Sequence, residues 1–146
     1  MIRAFRSSDM AAIVHVRTHV IENHLSVEQM AEIGITPQSI QADIATDDLG
    51  CWVAEDDGTV VAFSMADRRD ANIFALFVLP EREGKGFGSK LLDCAEQWLK
   101  QQGHREARLD TGRGTRAYDF YLKRGWRLTT KKAGYFAEDD VFRKLL

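Results

Sequence analysis

Apolar residues recur along this chain with two periods, and the switches between them mark the elements. Residues 2–6 alternate and predict a short first strand. Ile13, Val16, Val20 and Ile21 fall on one helical face, so a helix capped by Ser7 or Ser8 runs to about Asn23. Ser26, with Gln29 three positions on, has capping-box spacing and starts a short second helix. Thr36-Pro37 starts a third, with proline at the first helical position and Ile40 and Ile44 facing inward. Residues 51–55 and 60–66 read as strands joined by Asp56-Asp57-Gly58, the best hairpin signal in the chain. Residues 72–79 form the next strand. Leu91, Leu92, Ala95, Trp98 and Leu99 mark a helix over 88–102 that Gly103 ends, with Cys94 expected as one of its core hydrophobes. Residues 107–111 are a short strand. Ala117, Phe120, Tyr121 and Arg124 follow i, i+3, i+4, i+7 on a further helix that stops at Gly125. Strands over 126–130 and 141–146 complete the pattern. This order predicts an α+β or α/β three-layer domain with a mixed sheet. Without repeats, linkers or low-complexity segments, residues 1–146 predict one domain with a sizeable core.

Composition narrows the partners. The chain is 45% hydrophobic and 29% charged, as a soluble globular protein is. Its net charge is −2, and basic residues are dispersed apart from pairs such as Arg68-Arg69 and Lys131-Lys132. That pattern lacks the basic footprint of a nucleic-acid binder. Two cysteines, Cys51 and Cys94, fit a reduced cytoplasmic protein without a disulfide framework. No signal region and no apolar run of about 18 residues is present, so neither export nor a membrane span is expected. His15 and His19 have metal-ligand spacing, and Glu22 lies three residues on, but no third ligand is evident. A partly exposed helical pair is the expectation, and no metal.

The chemistry concentrates in one stretch. The apolar run Leu76-Phe77-Val78-Leu79 stops at Pro80, and Gly84, Gly86 and Gly88 then open a helix. Glycines leave backbone N–H groups uncovered, and a helix start adds orphan amides and a positive dipole end. Strand, loop and helix together make an anion cradle suited to a pyrophosphate. A P-loop does not fit, because Ser89 stands where its second glycine belongs. A dinucleotide fingerprint does not fit either, since the glycines run G-x-G-x-G, one residue short.

The spacing instead resembles the acetyl-coenzyme A loop of the GNAT superfamily of N-acetyltransferases, Arg/Gln-x-x-Gly-x-Gly/Ala after a strand ending Val-x-Pro. Gly86 and Gly88 match the small positions, and Val78 and Pro80 match the strand end. Glu83 departs from the family's Arg or Gln, which leaves Arg82 or Lys85 to supply positive charge. Downstream, Ala117-Tyr118-Asp119-Phe120-Tyr121, closing in Gly125-Trp126, resembles the family's second motif, Ala-x-x-Phe-Tyr before Gly-Phe or Gly-Trp. The family often has Asn three residues before that Ala; here Gly114 stands there.

The resemblance implies a GNAT-like three-layer domain, with a mixed, mostly antiparallel sheet of six or seven strands flanked by helices. It implies acetyl transfer from acetyl-CoA, the cosubstrate, to a primary amine by direct attack in a ternary complex, without a metal. Cofactor contacts are then expected from Leu76, Phe77, Val78, Arg82, Gly84, Lys85, Gly86, Phe87, Gly88, Ser89, Arg113 and Tyr121. By position in the motif, the Tyr121 phenol is the general acid, and the Val78 N–H is an oxyanion donor. Tyr121 as an amphipathic core residue is the competing reading. Asp110 is the candidate base, set against a carboxylate that caps the following turn. Glu138, Asp139 and Asp140 read as a solvated acidic loop, or else as carboxylates that with Asp67 draw a cationic amine to the acceptor site. Arg113 and Arg116 either meet phosphates or begin a solvated helix. Trp52, Phe63 and Phe74 fill the sheet core or line a pocket. The acceptor is a small-molecule or side-chain amine, and oligomeric state stays open, a homodimer included. A non-catalytic acetyl-CoA sensor and a transferase of another acyl group are the alternatives.

Overall fold

In the computed structural model, which describes residues 1–20, 26–112, 115–131 and 139–146, the chain opens with strand Ile2–Ala4 (β1). Helices Met10–His19 (α1), Val27–Glu32 (α2) and Pro37–Ala45 (α3) follow. The expected caps form on two of them: Ser26 with Gln29 closes the capping box of α2, and Thr36 with Ser39 that of α3. The first helix differs. Neither Ser7 nor Ser8 caps it; both lie in a 3-10 turn, Ser7–Asp9, that precedes α1. Buried Asp9 instead accepts the Arg6 backbone N–H at 2.7 Å and both terminal nitrogens of Arg3 at 2.8 Å. A carboxylate that also neutralises a guanidinium outcompetes a serine hydroxyl there. Val20 is buried as expected; Ile21, Glu22 and Asn23 lie outside the described residues.

Strands Leu49–Asp56 (β2) and Thr59–Asp67 (β3) pair antiparallel around the expected hairpin, with Asp57 and Gly58 both at positive φ, as a two-residue turn of this hand requires. Then come Asn72–Val78 (β4), Phe87–Gln101 (α4), Glu106–Gly112 (β5), Arg116–Lys123 (α5), Arg127–Thr130 (β6) and Asp139–Leu145 (β7). Among the described residues the sheet has seven strands in the order β1-β2-β3-β4-β5-β7-β6, antiparallel except for β4 beside β5.

Register assigns the faces. Val53, Phe63 and Phe77 form one cross-strand row, and Trp52, Ser64 and Leu76 the neighbouring one. Adjacent rows point to opposite sides. On the first side Ile13 and Val16 of α1 share a core with Val53 and Phe63. On the second, the Ser64 hydroxyl donates to the Leu91 carbonyl of α4 at 3.0 Å, and Trp98 meets Trp52 edge-on at 5.7 Å. Leu91, Leu92, Ala95 and Leu99 anchor α4, each buried leucine contributing roughly 1.5–3 kcal/mol. Cys94 is not in that core. It is half-buried on the helix flank, and Glu96 is buried nearby, paired with Lys144 at 2.5 Å.

Two irregularities of β4 prepare the site. A register shift against β3 pairs Met65 with Ala75 but Ala66 with Ile73, leaving Phe74 as the extra residue of a bulge. On its other edge β4 meets β5 in one register, Asn72 with Arg108, and the two strands share no further register among the described residues.

Candidate functional site

The gap between β4 and β5 opens where β4 ends, and backbone parity says which groups face it. Leu79 N–H donates to Val61 C=O at 2.9 Å, and Val78 sits opposite Ala62 in the same register. Hydrogen-bonded pairs alternate along an antiparallel ladder. Phe77 and Leu79 therefore bond toward β3, while the N–H groups of Leu76 and Val78 point the other way, into the gap.

Beside it runs a cleft of about 600 Å³. Leu76, Phe77, Val78, Arg82, Gly84 and the run Gly86 to Ser89 line one side, and Ala117, Phe120, Tyr121 and Arg124 the other. The helical face read from the sequence is thus the cleft wall. At the cleft's foot α4 starts without a side-chain cap, on Gly86 at φ +86°. Ser26, Thr36 and Thr115 cap α2, α3 and α5. The first intrahelical bond is Lys90 N–H to Gly86 C=O at 3.3 Å, so the amides ahead of Lys90 are the helix's orphan donors. A Cβ built on Gly84 or Gly86 meets nothing within 4 Å, which leaves that surface open to an anion.

Of the two expected charges at the cradle, one lies at the cleft and one turns away. Arg82 lines the cleft and pairs with Asp56 at 3.3 Å. Lys85 turns out of it to the same carboxylate at 3.4 Å. Glu83 faces Arg116 in an ion pair, so its charge is met by α5. Arg124 stacks over the Phe120 ring at 3.8 Å and donates from Nε to Ser89 Oγ at 2.9 Å. Sequence reading placed Arg124 on the right face and gave it no role; the available signal was its i+7 position after Ala117. Arg113 and Gly114 lie outside the described residues. Tyr121 is buried against Phe120 and Trp126, and burial together with the charge of Glu96 raises its phenol well above the ordinary range.

Across the sheet, under α1, is a second cavity of about 340 Å³ that shares Phe77 with the cleft. Phe63 and Phe74 both line it, the bulge having brought Phe74 and Ala75 to the same side. Trp52 instead packs against Trp98 on the opposite face. Asp110 also lies in this cavity, away from the cleft, held by Arg108 at 3.1 Å. Asp139 and Asp140 correct the acidic-loop expectation: both belong to β7, Asp140 is wholly buried, and Asp139 lines the cavity. Strand pairing with β5 continues two residues further than the apolar run 141–146 announced. Burial and the neighbouring Asp110 and Asp140 raise the Asp139 carboxyl. Glu138 lies outside the described residues, and Asp67 lines neither cavity, being tied to Arg69 at 2.8 Å. Arg17 was missed altogether. It lies 4.2 Å above the Phe77 ring, where burial pushes its guanidinium down to about 10.

His15 and His19 stack at 3.9 Å, and His19 Nδ1 hydrogen-bonds the His15 carbonyl at 2.7 Å. Among the described residues no group of three or more His, Cys, Asp or Glu gathers as metal ligands, and no helix is long and apolar enough to cross a membrane.

The sequence and the fold have counterparts in known proteins. An uncharacterized N-acetyltransferase of Archaeoglobus fulgidus is 35% identical over 94 residues, covering 58% of this chain and 64% of that relative. The match thus spans somewhat less than two thirds of the curated relative's length. The PaiA N-acetyltransferase of Thermoplasma acidophilum, solved in complex with coenzyme A, has a TM-score of 0.82 at 21% identity, covering 100% of this chain and 98% of that one. A GNAT-family acetyltransferase from Staphylococcus aureus gives 0.81 at 16% identity, again covering 100% and 98%. At such identities these structures establish the shared fold. The model of the acetyltransferase (GNAT) family matches residues 18–126, which take in the glycine loop, α4 and the Tyr121 helix, and the chain belongs to that family.

Proposed function

We propose that this chain is an N-acetyltransferase that moves the acetyl group of acetyl-CoA to a primary amine by direct attack in a ternary complex. One observation carries the reading: an uncapped, glycine-started helix lies beside a strand edge whose Leu76 and Val78 N–H groups face an open gap. The amides at the start of α4 fit a pyrophosphate, being orphan donors at a positive dipole end with no side chain over them. Arg82 and Arg124 add charge from the flanks of the cleft.

Acetyl-CoA supplies the activated acyl group as a thioester. In the proposed mechanism Val78 N–H donates to the carbonyl oxygen as negative charge develops there, a contact worth roughly 3–4 kcal/mol when removed. Tyr121 holds the proton for the departing sulfur. A phenol is protonated at neutral pH, and burial here raises it further, so the donor is loaded although a weaker acid than a free tyrosine. Phe77, common to cleft and cavity, places the nucleophile's side of the sheet next to the acyl side. Coenzyme A release with acetyl-CoA and a panel of amines, followed with a thiol reagent, tests the reading. Amine-dependent release supports it. Binding of acetyl-CoA without release for any amine would make the chain a sensor.

A further inference from the structure

The cavity under α1 is apolar nearly throughout, yet carboxylates reach into it. Ile13, Met30, Ile40, Phe63, Phe74 and Phe77 supply walls suited to an alkyl or aryl group. Asp110 and Asp139 enter from neighbouring strands. Asp110 pairs with Val141 and Gly112 with Asp139, so the two carboxylates are diagonal neighbours on one face of the β5–β7 ladder. Arg17 of α1 brings the remaining charge. The volume, about 340 Å³, is at the small end of the roughly 300–1,000 Å³ typical of ligand pockets.

We infer that the acceptor is a small primary amine on an apolar alkyl or aryl body, that its ammonium meets the Asp110–Asp139 pair, and that Asp139 takes the proton the amine must lose. This rests on the acetyltransferase reading and adds to it the acceptor's body and its base. An ammonium entering apolar surroundings needs a carboxylate, whereas the further cations of a polyamine would be buried against isoleucine, methionine and phenylalanine without a partner. Asp110 is already neutralised by Arg108, which leaves Asp139 as the better proton acceptor. The charged groups around it are Asp110 on the same face of the ladder, itself paired with Arg108, Asp140 next to it in the chain but on the opposite face, and Arg17 across the cavity; burial and the two carboxylates make Asp139 more basic. The ammonium gives one proton to Asp139, which passes it to water. The freed nitrogen then forms the C–N bond as the C–S bond breaks. A second nitrogen proton leaves while the sulfur takes one from Tyr121, which regains its proton from solvent, so one proton is released per turnover.

The test compares 2-phenylethylamine, spermidine and a lysine-containing peptide with a free N-terminus as acceptors for the full chain, with acetyl-CoA-induced thermal shift measured in parallel. We expect kcat/KM for 2-phenylethylamine to exceed both others at least tenfold. Equal or better turnover of spermidine or the peptide overturns the acceptor class. A thermal shift without turnover of 2-phenylethylamine also overturns it, while leaving cofactor binding in place. No thermal shift overturns the acetyltransferase reading beneath it. Asp139→Asn should cut kcat/KM for the amine at least tenfold at neutral pH, move its rising pH limb upward and leave KM for acetyl-CoA unchanged, with Asp139→Glu restoring part of the rate. An unmoved pH limb in the Asn variant overturns the assignment of the base.

Discussion

Two alanine substitutions two positions apart should have opposite effects, and the contrast isolates what the glycine loop is for. Gly86 sits at φ +86° as the N-cap of α4, and a Cβ there meets nothing within 4 Å. The cost of Gly86→Ala is therefore conformational and not steric. A left-handed non-glycine residue costs about 1–2 kcal/mol, offset in part by the stiffer unfolded chain, for a net of about 1 kcal/mol. A chain of this size should lose about 3 °C in Tm. Gly88 lies inside the first turn, where a Cβ would touch Phe120 Cζ at 3.5 Å and Val78 Cγ2 at 3.9 Å, ordinary contacts. Gly88→Ala should gain up to about 1 kcal/mol of helix propensity and raise Tm by a similar amount. Differential scanning fluorimetry with and without acetyl-CoA then reads the second effect. A hundredfold excess over Kd adds ~2.7 kcal/mol, or roughly 8 °C, to the wild type. Gly86→Ala should lose most of that increment because its methyl enters the open cradle, whereas Gly88→Ala should keep it. If Gly86→Ala matched the wild type in both Tm and increment, the left-handed helix start would have no part in anion binding.

Three further outcomes are expected. Tyr121→Phe should keep Tm and acetyl-CoA affinity, since its ring packing against Phe120 and Trp126 is unchanged, while turnover falls on the order of 10²-fold; unchanged turnover would return Tyr121 to a packing role. Glu83→Gln removes a carboxylate from the cleft lining, so acetyl-CoA should bind a few-fold tighter by calorimetry, with the gain shrinking at high salt and Tm scarcely changed; weaker binding would count against the cradle. Arg3 holds the Asp9 carboxyl below its unfolded value, so Asp9 stabilises fully above about pH 4, and this is lost as pH falls through the lowered folded pKa. Asp9→Asn should lower Tm at pH 7 and flatten the loss of Tm on acidification, and an acid limb as steep as the wild type's would refute this.

What the sequence disclosed depended on how local each signal was. The α2 and α3 caps, the Asp57-Gly58 turn and the glycine loop are written in residues within a few positions of each other, and all appear where their chemistry places them. The expected Ser7 or Ser8 cap gave way to Asp9 because Asp9 is held by Arg3, which in turn donates to Glu55, a residue distant in sequence. Asp139 and Asp140 looked like a solvated acidic run because strand pairing, invisible in a single segment, carries β7 back to Asp139 against Gly112. Arg17 and Arg124 were legible as helical positions, but the rings beneath them belong to other elements or to the preceding turn. The family's motif supplied Tyr121 and Gly86, which lie on one contiguous stretch each. The cavity under α1 draws on seven separate elements, and no motif encodes it.

The arrangement turns on β4, because a strand offers three directions and this one has a different use for each. Odd-numbered Phe77 sends its side chain to the α1 face, where the apolar cavity lies. Even-numbered Val78 sends its side chain toward the start of α4, as its 3.9 Å approach to a Cβ on Gly88 shows. The edge carries N–H groups that face the gap where β5 diverges, the two strands sharing one register among the described residues. A one-residue slip would exchange all of these at once, putting the Phe77 side chain against the helix start and turning the Val78 N–H back to β3. The bulge at Phe74 is therefore more than a local kink. By absorbing one residue it lets β4 pair with β3 on both sides while Phe74 and Ala75 close the cavity wall, and it fixes the parity on which cleft, cavity and gap all depend.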